Sequence, residues 1–140
     1  MTTTPEITRS IRIDMGHRLL KHESKCKNCH GHSYMIELSC RGAAGLDEVG
    51  RVIDFGVIKE IFGKWLNEVF DHGFAIEVGD PIADFFEVHA QKHVVLDVPP
   101  TAENLARLWF DGAVKLLATA PVIVTRIRVY ETPNCWADYP

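Results

Sequence analysis

An α+β fold, with helices on one face of a mainly antiparallel sheet, is predicted by three features of the sequence. Two early segments alternate apolar and polar residues. Two later segments carry apolar residues at helical spacing behind good N-cap residues. A strongly β-prone run, Val122 to Tyr130, closes the pattern.

The elements follow in chain order. From Glu6 to Asp14 the apolar residues Ile7, Ile11 and Ile13 predict a strand. From His32 to Leu38 the alternation is cleaner: Tyr34, Ile36 and Leu38 share one face, Met35 and Glu37 the other. Arg41-Gly42-Ala43-Ala44-Gly45 reads as a turn, and Arg51-Val52-Ile53 as a short strand. Asp54 is a candidate N-cap. Behind it Phe55, Ile58, Ile61, Phe62, Trp65, Leu66 and Val69 form one wide apolar stripe, the pattern of a helix lying on a sheet. Gly79-Asp80-Pro81 breaks the chain; Ile82 to Ala90 reads as a short helix or an ordered loop, and Val94-Val95-Leu96 as a strand. Pro99-Pro100 stops that strand. Thr101 then caps a second helix, whose expected buried face is Leu105, Leu108, Trp109, Ala113, Leu116 and Leu117. The open edges of such a sheet need covering, and oligomerisation is one solution.

Composition bounds the function. The 140 residues correspond to one domain, residues 1–140. With 46% hydrophobic and 24% charged residues the chain matches the globular average, which excludes a disordered tail or a disulfide-stapled miniprotein. No apolar run approaches the ~20 residues of a membrane span. Fifteen Lys+Arg against 19 Asp+Glu give a net charge of −4. No nucleic-acid or membrane partner is therefore expected, since the densest basic group is only Lys21 to Lys27. The N-terminal stretch lacks the apolar core of a secretory signal, so a cytoplasmic location is expected. Thiols stay reduced there, so Cys26, Cys29, Cys40 and Cys135 are not expected to form structural disulfides.

The chemistry concentrates in Cys26-Lys27-Asn28-Cys29-His30-Gly31-His32, with His17 upstream. Period 2 puts His30 and His32 on one face of a strand. His17, ending the neighbouring strand, completes a three-imidazole site for a divalent metal. Three neutral imidazoles leave one coordination position open, as in catalytic zinc; without His17 the HGH run reads as a polar turn. Near a dication the Cys26 thiol becomes a thiolate able to take a proton. A rival reading gives the fourth position to Cys26 or Cys29 and makes the metal structural. Cys26 to His30 also satisfies C-x-x-C-H, the haem-attachment pattern, but that would leave His17 and His32 without a role. Asp71-His72 pairs a carboxylate with an imidazole after the first helix, suited either to proton shuttling or to a helix C-terminus. Glu131 ends the last strand, where a carboxylate can accept two parallel hydrogen bonds from an amidine-like ring edge.

Taken together, these residues resemble the 6-pyruvoyltetrahydropterin synthase / 6-carboxytetrahydropterin synthase family. The matching segments are Gly16-His17-Arg18-Leu19, Cys26-x-x-x-His30-Gly31-His32, Gly50-Arg51-Val52-Ile53-Asp54-Phe55, Asp71-His72, Pro100-Thr101-Ala102-Glu103-Asn104-Leu105 and Glu131-Thr132, in the family's order. The three residues between Cys26 and His30 resemble the bacterial carboxy enzymes more than the pyruvoyl ones. Cys29, before His30, departs from the family pattern, as does the length of the segment Gly79 to Asp97.

The resemblance implies a tunnelling fold (T-fold): a four-stranded antiparallel sheet with two main helices packed on one face. It implies a homo-hexamer, two stacked trimers, with active sites between subunits. It implies Zn²⁺ on His17, His30 and His32, Cys26 as general base, and Asp71 with His72 as a catalytic relay. Glu131, Thr101 and Glu103 would contact the substrate. That substrate would be 7,8-dihydroneopterin triphosphate, cleaved to 6-carboxytetrahydropterin, acetaldehyde and triphosphate on the route to 7-deazaguanines such as queuosine. A role for Mg²⁺ at the triphosphate is compatible with this chemistry, though the sequence does not specify one. The alternatives are 6-pyruvoyltetrahydropterin synthesis by triphosphate elimination, or a non-catalytic zinc- or pterin-binding module.

Overall fold

Residues 3–140 are described by a computed structural model. Six strands form one sheet in the order β4-β3-β1-β2-β5-β6. Its centre is the long antiparallel pair β1 (Glu6–His17) and β2 (His30–Gly42), in register from Glu6 opposite Arg41 to His17 opposite His30. β5 (Val122–Thr132) continues the sheet antiparallel to β2, with a bulge at Ser39/Cys40, and β6 (Cys135–Tyr139) pairs with β5. On the other side β3 (Phe74–Glu77) and β4 (His93–Leu96) add parallel to β1.

The sheet thus has six strands where four were expected, and its β1-β3-β4 side is parallel. The two strands absent from the sequence reading are β3 and β6. β3 is only four residues long and carries no alternation, because Ala75 and Ile76 are both buried. β6 is an edge strand whose residues are mostly exposed, so burial imprints no pattern on it. Conversely, Arg51-Val52-Ile53 is not a strand. The Asp47 carboxylate accepts hydrogen bonds from the backbone N–H groups of Val49 and Arg51, at 3.0 and 2.8 Å, and from Arg51 Nε at 2.9 Å. The Arg51 amide is satisfied by a side chain, and the segment stays a loop.

Helical residues 55–69 start where the sequence places them, with Gly56 N–H donating to Asp54 Oδ1 at 2.7 Å. They form α1 (Phe55–Ile58), a π-turn (Lys59–Gly63) and α2 (Lys64–Val69). Ile58, Phe62, Leu66 and Phe70 are buried, while Phe55 and Val69 are exposed, so the stripe is narrower than expected. Spacing of four drifts around an ideal α-helix; the wider π-turn offsets that drift and keeps these side chains on the sheet. The stretch 82–90 is mostly helix, α3 (Ile82–Val88).

α4 (Ala102–Leu116) is capped by Thr101, whose Oγ1 accepts from Asn104 N–H at 3.2 Å. Its buried face is Ala102, Leu105, Ala106, Trp109 and Ala113, followed by Leu117; Leu116 is exposed, contrary to expectation. The two long helical stretches approach closely at Gly112, where a Cβ would fall 2.4 Å from the Trp65 ring. One core joins these helices to Ile13, Met15, Tyr34, Ile36, Leu38, Ile127 and Val129 of the sheet. The opposite sheet face is polar: Thr8 bonds Ser39 through their hydroxyls at 2.7 Å, and Arg128 grips Asp138 with two hydrogen bonds of 2.6 and 2.9 Å.

The end of β1 is tied to the start of α3. Arg18 makes a two-pronged ion pair with the buried Asp80, which also accepts from Ile82 N–H at 2.9 Å. Hydrogen bonding to Arg18 holds the Asp80 carboxyl below the usual carboxylate range, against the opposing effect of burial. Its contribution to stability is therefore complete above about pH 4 and lost as pH falls through the depressed folded value. Asp80→Asn is expected to cost about 2–3 kcal/mol at neutral pH, since it strands Arg18 half-enclosed without its partner. Urea denaturation of both proteins at pH 7 and pH 3 checks this; the difference should shrink at the lower pH.

Candidate metal centre and active site

The β1/β2 register makes the site. His17 and His30 are paired residues, and His30, His32 and Tyr34 follow one another on the core-side face of β2. The three imidazoles therefore converge: their ring centroids lie 4.6, 5.1 and 5.1 Å apart. One nitrogen from each lies within 4.8 Å of the others, an arrangement able to hold a metal ion. His17 is buried at 1% exposure, while His30 and His32 are partly open.

Backbone carbonyls set the tautomers. His17 Nδ1 is 2.7 Å from the Pro100 carbonyl, and His30 Nδ1 is 2.7 Å from that of Asn28. A carbonyl can only accept, so each Nδ1 carries a proton, and in the neutral ring Nε2 presents its lone pair to a cation. His32 Nε2 is buried with no hydrogen-bond partner. An orphaned nitrogen on a three-imidazole face fits a bound metal better than an empty polar pocket. Burial is the main cause lowering the His32 pKa, helped by His17 and His30 and opposed by Glu131, so the ring is kept neutral and ready to ligate. Tyr34, fully buried, forms the floor; its hydroxyl lies 3.3 and 3.4 Å from the two nitrogens of His17, and burial pushes its pKa far up.

Glu131 lies nearer the histidines than its expected role requires. It alternates with Ile127 and Val129, so its side chain turns toward the core face. Its Oε1 stands 3.2 Å from His17 Nε2 and 3.3 Å from His32 Nε2. Hydrogen bonding to His17 is the largest cause holding its carboxyl below the usual range, against burial.

Asp71 and His72 form a dyad. His72 Nδ1 is 2.7 Å from Asp71 Oδ2, while Asp71 Oδ1 accepts from Asp14 N–H at 2.8 Å. Burial pushes the Asp71 carboxyl up, but these hydrogen bonds and the charges of His72 and Lys92 outweigh it and hold it low. The His72 backbone takes φ 57°, and its N–H donates to the Asp14 carbonyl at 2.7 Å. Its ring is 77% exposed, pointing outward rather than packing as a helix-end histidine. A cleft of about 540 Å³ is lined by Asp14, Gly31, His32, Ser33, His72 and Lys92 among others; His17, His30 and Asp71 do not line it.

The remaining expected residues are placed less closely. Cys26 is half-buried in a 3-10 turn (Lys25–Lys27), and its carbonyl accepts from Leu19 N–H at 2.8 Å. Cys26 and Cys29 are both free thiols, and neither joins the metal-ligating group. Thr101 spends an oxygen lone pair on capping α4, and Glu103 is exposed in the first turn of that helix. No residue type marks the carbonyls of Pro100 and Asn28 in advance, because every residue supplies one. Tyr34 was detectable, standing two residues beyond His32 on the same face.

The profile of the 6-pyruvoyl tetrahydropterin synthase family matches residues 6–140. The chain belongs to that family. A relative from Rickettsia bellii, named 6-carboxy-5,6,7,8-tetrahydropterin synthase, is 41% identical over 134 residues, covering 94% of this chain and 96% of that one. One of the same name from Aquifex aeolicus is 32% identical, with 96% of each chain covered. Among solved structures, an uncharacterized protein from Wolinella succinogenes superposes with TM-score 0.85 at 22% identity, covering 99% of this chain and 98% of that one. The Plasmodium falciparum 6-pyruvoyl tetrahydropterin synthase gives TM-score 0.76 at 19% identity, with the same coverage. At those identities the likeness shows the fold: the architecture is the expected T-fold, with six strands in this chain.

His30→Ala is expected to lower divalent-metal affinity by more than about 100-fold, because it removes one of the three imidazoles able to hold the ion rather than an outer partner. Chelator competition and metal analysis of the purified proteins check this.

Proposed function

We propose that this protein is a zinc-dependent 6-carboxy-5,6,7,8-tetrahydropterin synthase. Its substrates are 7,8-dihydroneopterin triphosphate and one water, and its products are 6-carboxytetrahydropterin, acetaldehyde and triphosphate, on the route to 7-deazaguanines such as queuosine. The observation that carries the reading is the convergence of His17, His30 and His32 in a chain that aligns end to end with relatives of that name. Zn²⁺ held by the three imidazoles supplies Lewis-acid polarisation of the substrate's side-chain oxygens.

The chain's own residues do the rest. His17 and His30 are locked in orientation by the Pro100 and Asn28 carbonyls. Cys26, on the loop between them, takes a proton from the substrate side chain. Asp71 fixes His72 in the tautomer that leaves Nε2 facing solvent, where it can deliver or collect a proton. Glu131 anchors the pterin ring, and Thr101 and Glu103 contact the substrate. The dyad serves a site completed by a neighbouring copy, and β4 and β6, the two ends of the sheet, are the edges through which copies close into trimers and a homo-hexamer. Both substrate and product are small polar molecules of the cytoplasm. No helix of the described residues is long and apolar enough to cross a membrane.

Incubating the zinc-loaded protein with dihydroneopterin triphosphate is expected to release acetaldehyde and 6-carboxytetrahydropterin, identified by mass. A 6-pyruvoyl product instead assigns the pyruvoyl reaction, the name of the matching family profile. Absence of any product removes the enzymatic reading. Cys26→Ala is expected to keep its zinc and lose about 10²–10⁴-fold in turnover, the usual contribution of one positioned acid or base. Loss of zinc from that variant would instead make Cys26 a ligand.

A further inference from the structure

The peptide that joins Asp71 to His72 is held at both of its poles. Its N–H donates to the Asp14 carbonyl of β1 at 2.7 Å, and its carbonyl accepts from Lys92 Nζ. The same ammonium donates to the Asn67 carbonyl at 3.1 Å. In an α-helix that second carbonyl would take the Asp71 N–H. Here the Asp71 N–H reaches one residue further back, to the Leu66 carbonyl at 3.0 Å, where Phe70 N–H also donates at 2.9 Å. The end of α2 therefore leaves the Asn67 carbonyl to be satisfied by a side chain, and a lysine is the usual kind of donor at a helix C-terminus.

Lys92 is itself well placed to act as a fixed point. Its carbonyl accepts from Phe74 N–H at 3.2 Å, and the next residue, His93, pairs with Phe74 where β4 joins β3. Its stem passes Gly73, where a Cβ would stand 3.4 Å from Lys92 Cγ and 3.0 Å from the Phe70 carbonyl. The lysine thus reaches back from the long segment 79–97 onto the turn that carries the dyad. That turn needs support. His72 takes φ 57°, a left-handed conformation that is costly for a residue with a Cβ and persists only where its surroundings impose it. The His72 ring is 77% exposed, so its backbone and its bond to Asp71 Oδ2, at 2.7 Å, aim it more than packing does.

We propose that Lys92 is a positioning residue for the Asp71–His72 dyad: by clamping the Asn67 and Asp71 carbonyls it fixes the left-handed turn that aims the His72 ring. This rests on the catalytic role of the dyad proposed above and deepens it. Lys92 touches no reacting atom and moves no proton; it acts only through His72. Without its ammonium the Asp71–His72 peptide keeps one anchor, at Asp14, and can rock about it. A catalytic group displaced by about 1 Å can lose on the order of 100-fold in rate.

The test uses Lys92→Met, which keeps the stem and removes the ammonium, in the zinc-loaded protein with dihydroneopterin triphosphate. The variant is verified as folded by circular dichroism. Its kcat is expected to fall about 10–100-fold, with KM and metal content unchanged. The His72 amide is expected to exchange with deuterium about 10-fold faster or more, while the amides of the β1–β2 pair keep their protection. In a His72→Ala background, Lys92→Met should cost no further kcat, because both changes act through one ring. A further, additive loss in the double variant overturns the proposal. So does a raised KM at unchanged kcat, which makes Lys92 a substrate contact, and so does a His72 amide whose exchange is unchanged. A wild type without turnover instead removes the proposed function on which the inference rests.

Discussion

The antiparallel pairing of β1 with β2 sets His17 opposite His30. Everything chemical depends on that register. Side chains along a strand alternate faces, so a slip of one residue would send His30 and His32 to the polar face and His17 away from them. The register is held far from the site, by Ile13, Tyr34, Ile36 and Leu38 buried against the helices. The apolar alternation that folds the sheet is thus the same alternation that aims the ligands. Tyr34 joins the two functions, since its ring is core and its hydroxyl lies under His17.

A second layer fixes the orientation of the rings. The Pro100 carbonyl reaches His17 from the segment between β4 and α4, so the proline pair that ends β4 also sets a tautomer. The Arg18–Asp80 pair holds the chain just beyond His17 against the start of α3. The long segment 79–97 is therefore more than a spacer: through Asp80 it anchors the end of β1, and through β4 it extends the sheet. His72, at a positive φ, is pinned by its N–H to Asp14 on the strand that carries His17. Dyad and histidine cluster are thus referenced to the same strand, which fixes their separation within the chain.

The position of Glu131 changes how the site reads. A site with three histidines and an open face is already prepared for a ligand. The Glu131 carboxylate, at a strand end and 30% exposed, borders that face within 3.2 and 3.3 Å of two imidazole nitrogens.

The sequence alone determined the centre of the sheet, both helix N-caps, the three-histidine cluster and the family resemblance. Each of these is a local pattern: alternation, spacing, or an ordered set of short motifs. It misread Arg51 to Ile53, where an aspartate side chain captured the backbone, and it missed β3 and β6, which have too little one-sided burial to leave a pattern. The tertiary structure decided the parallel side of the sheet, the tautomer-setting carbonyls and the placement of Glu131 against the histidines. Those depend on contacts between residues far apart in the chain and on backbone atoms that every residue shares, so no residue type marks them in advance.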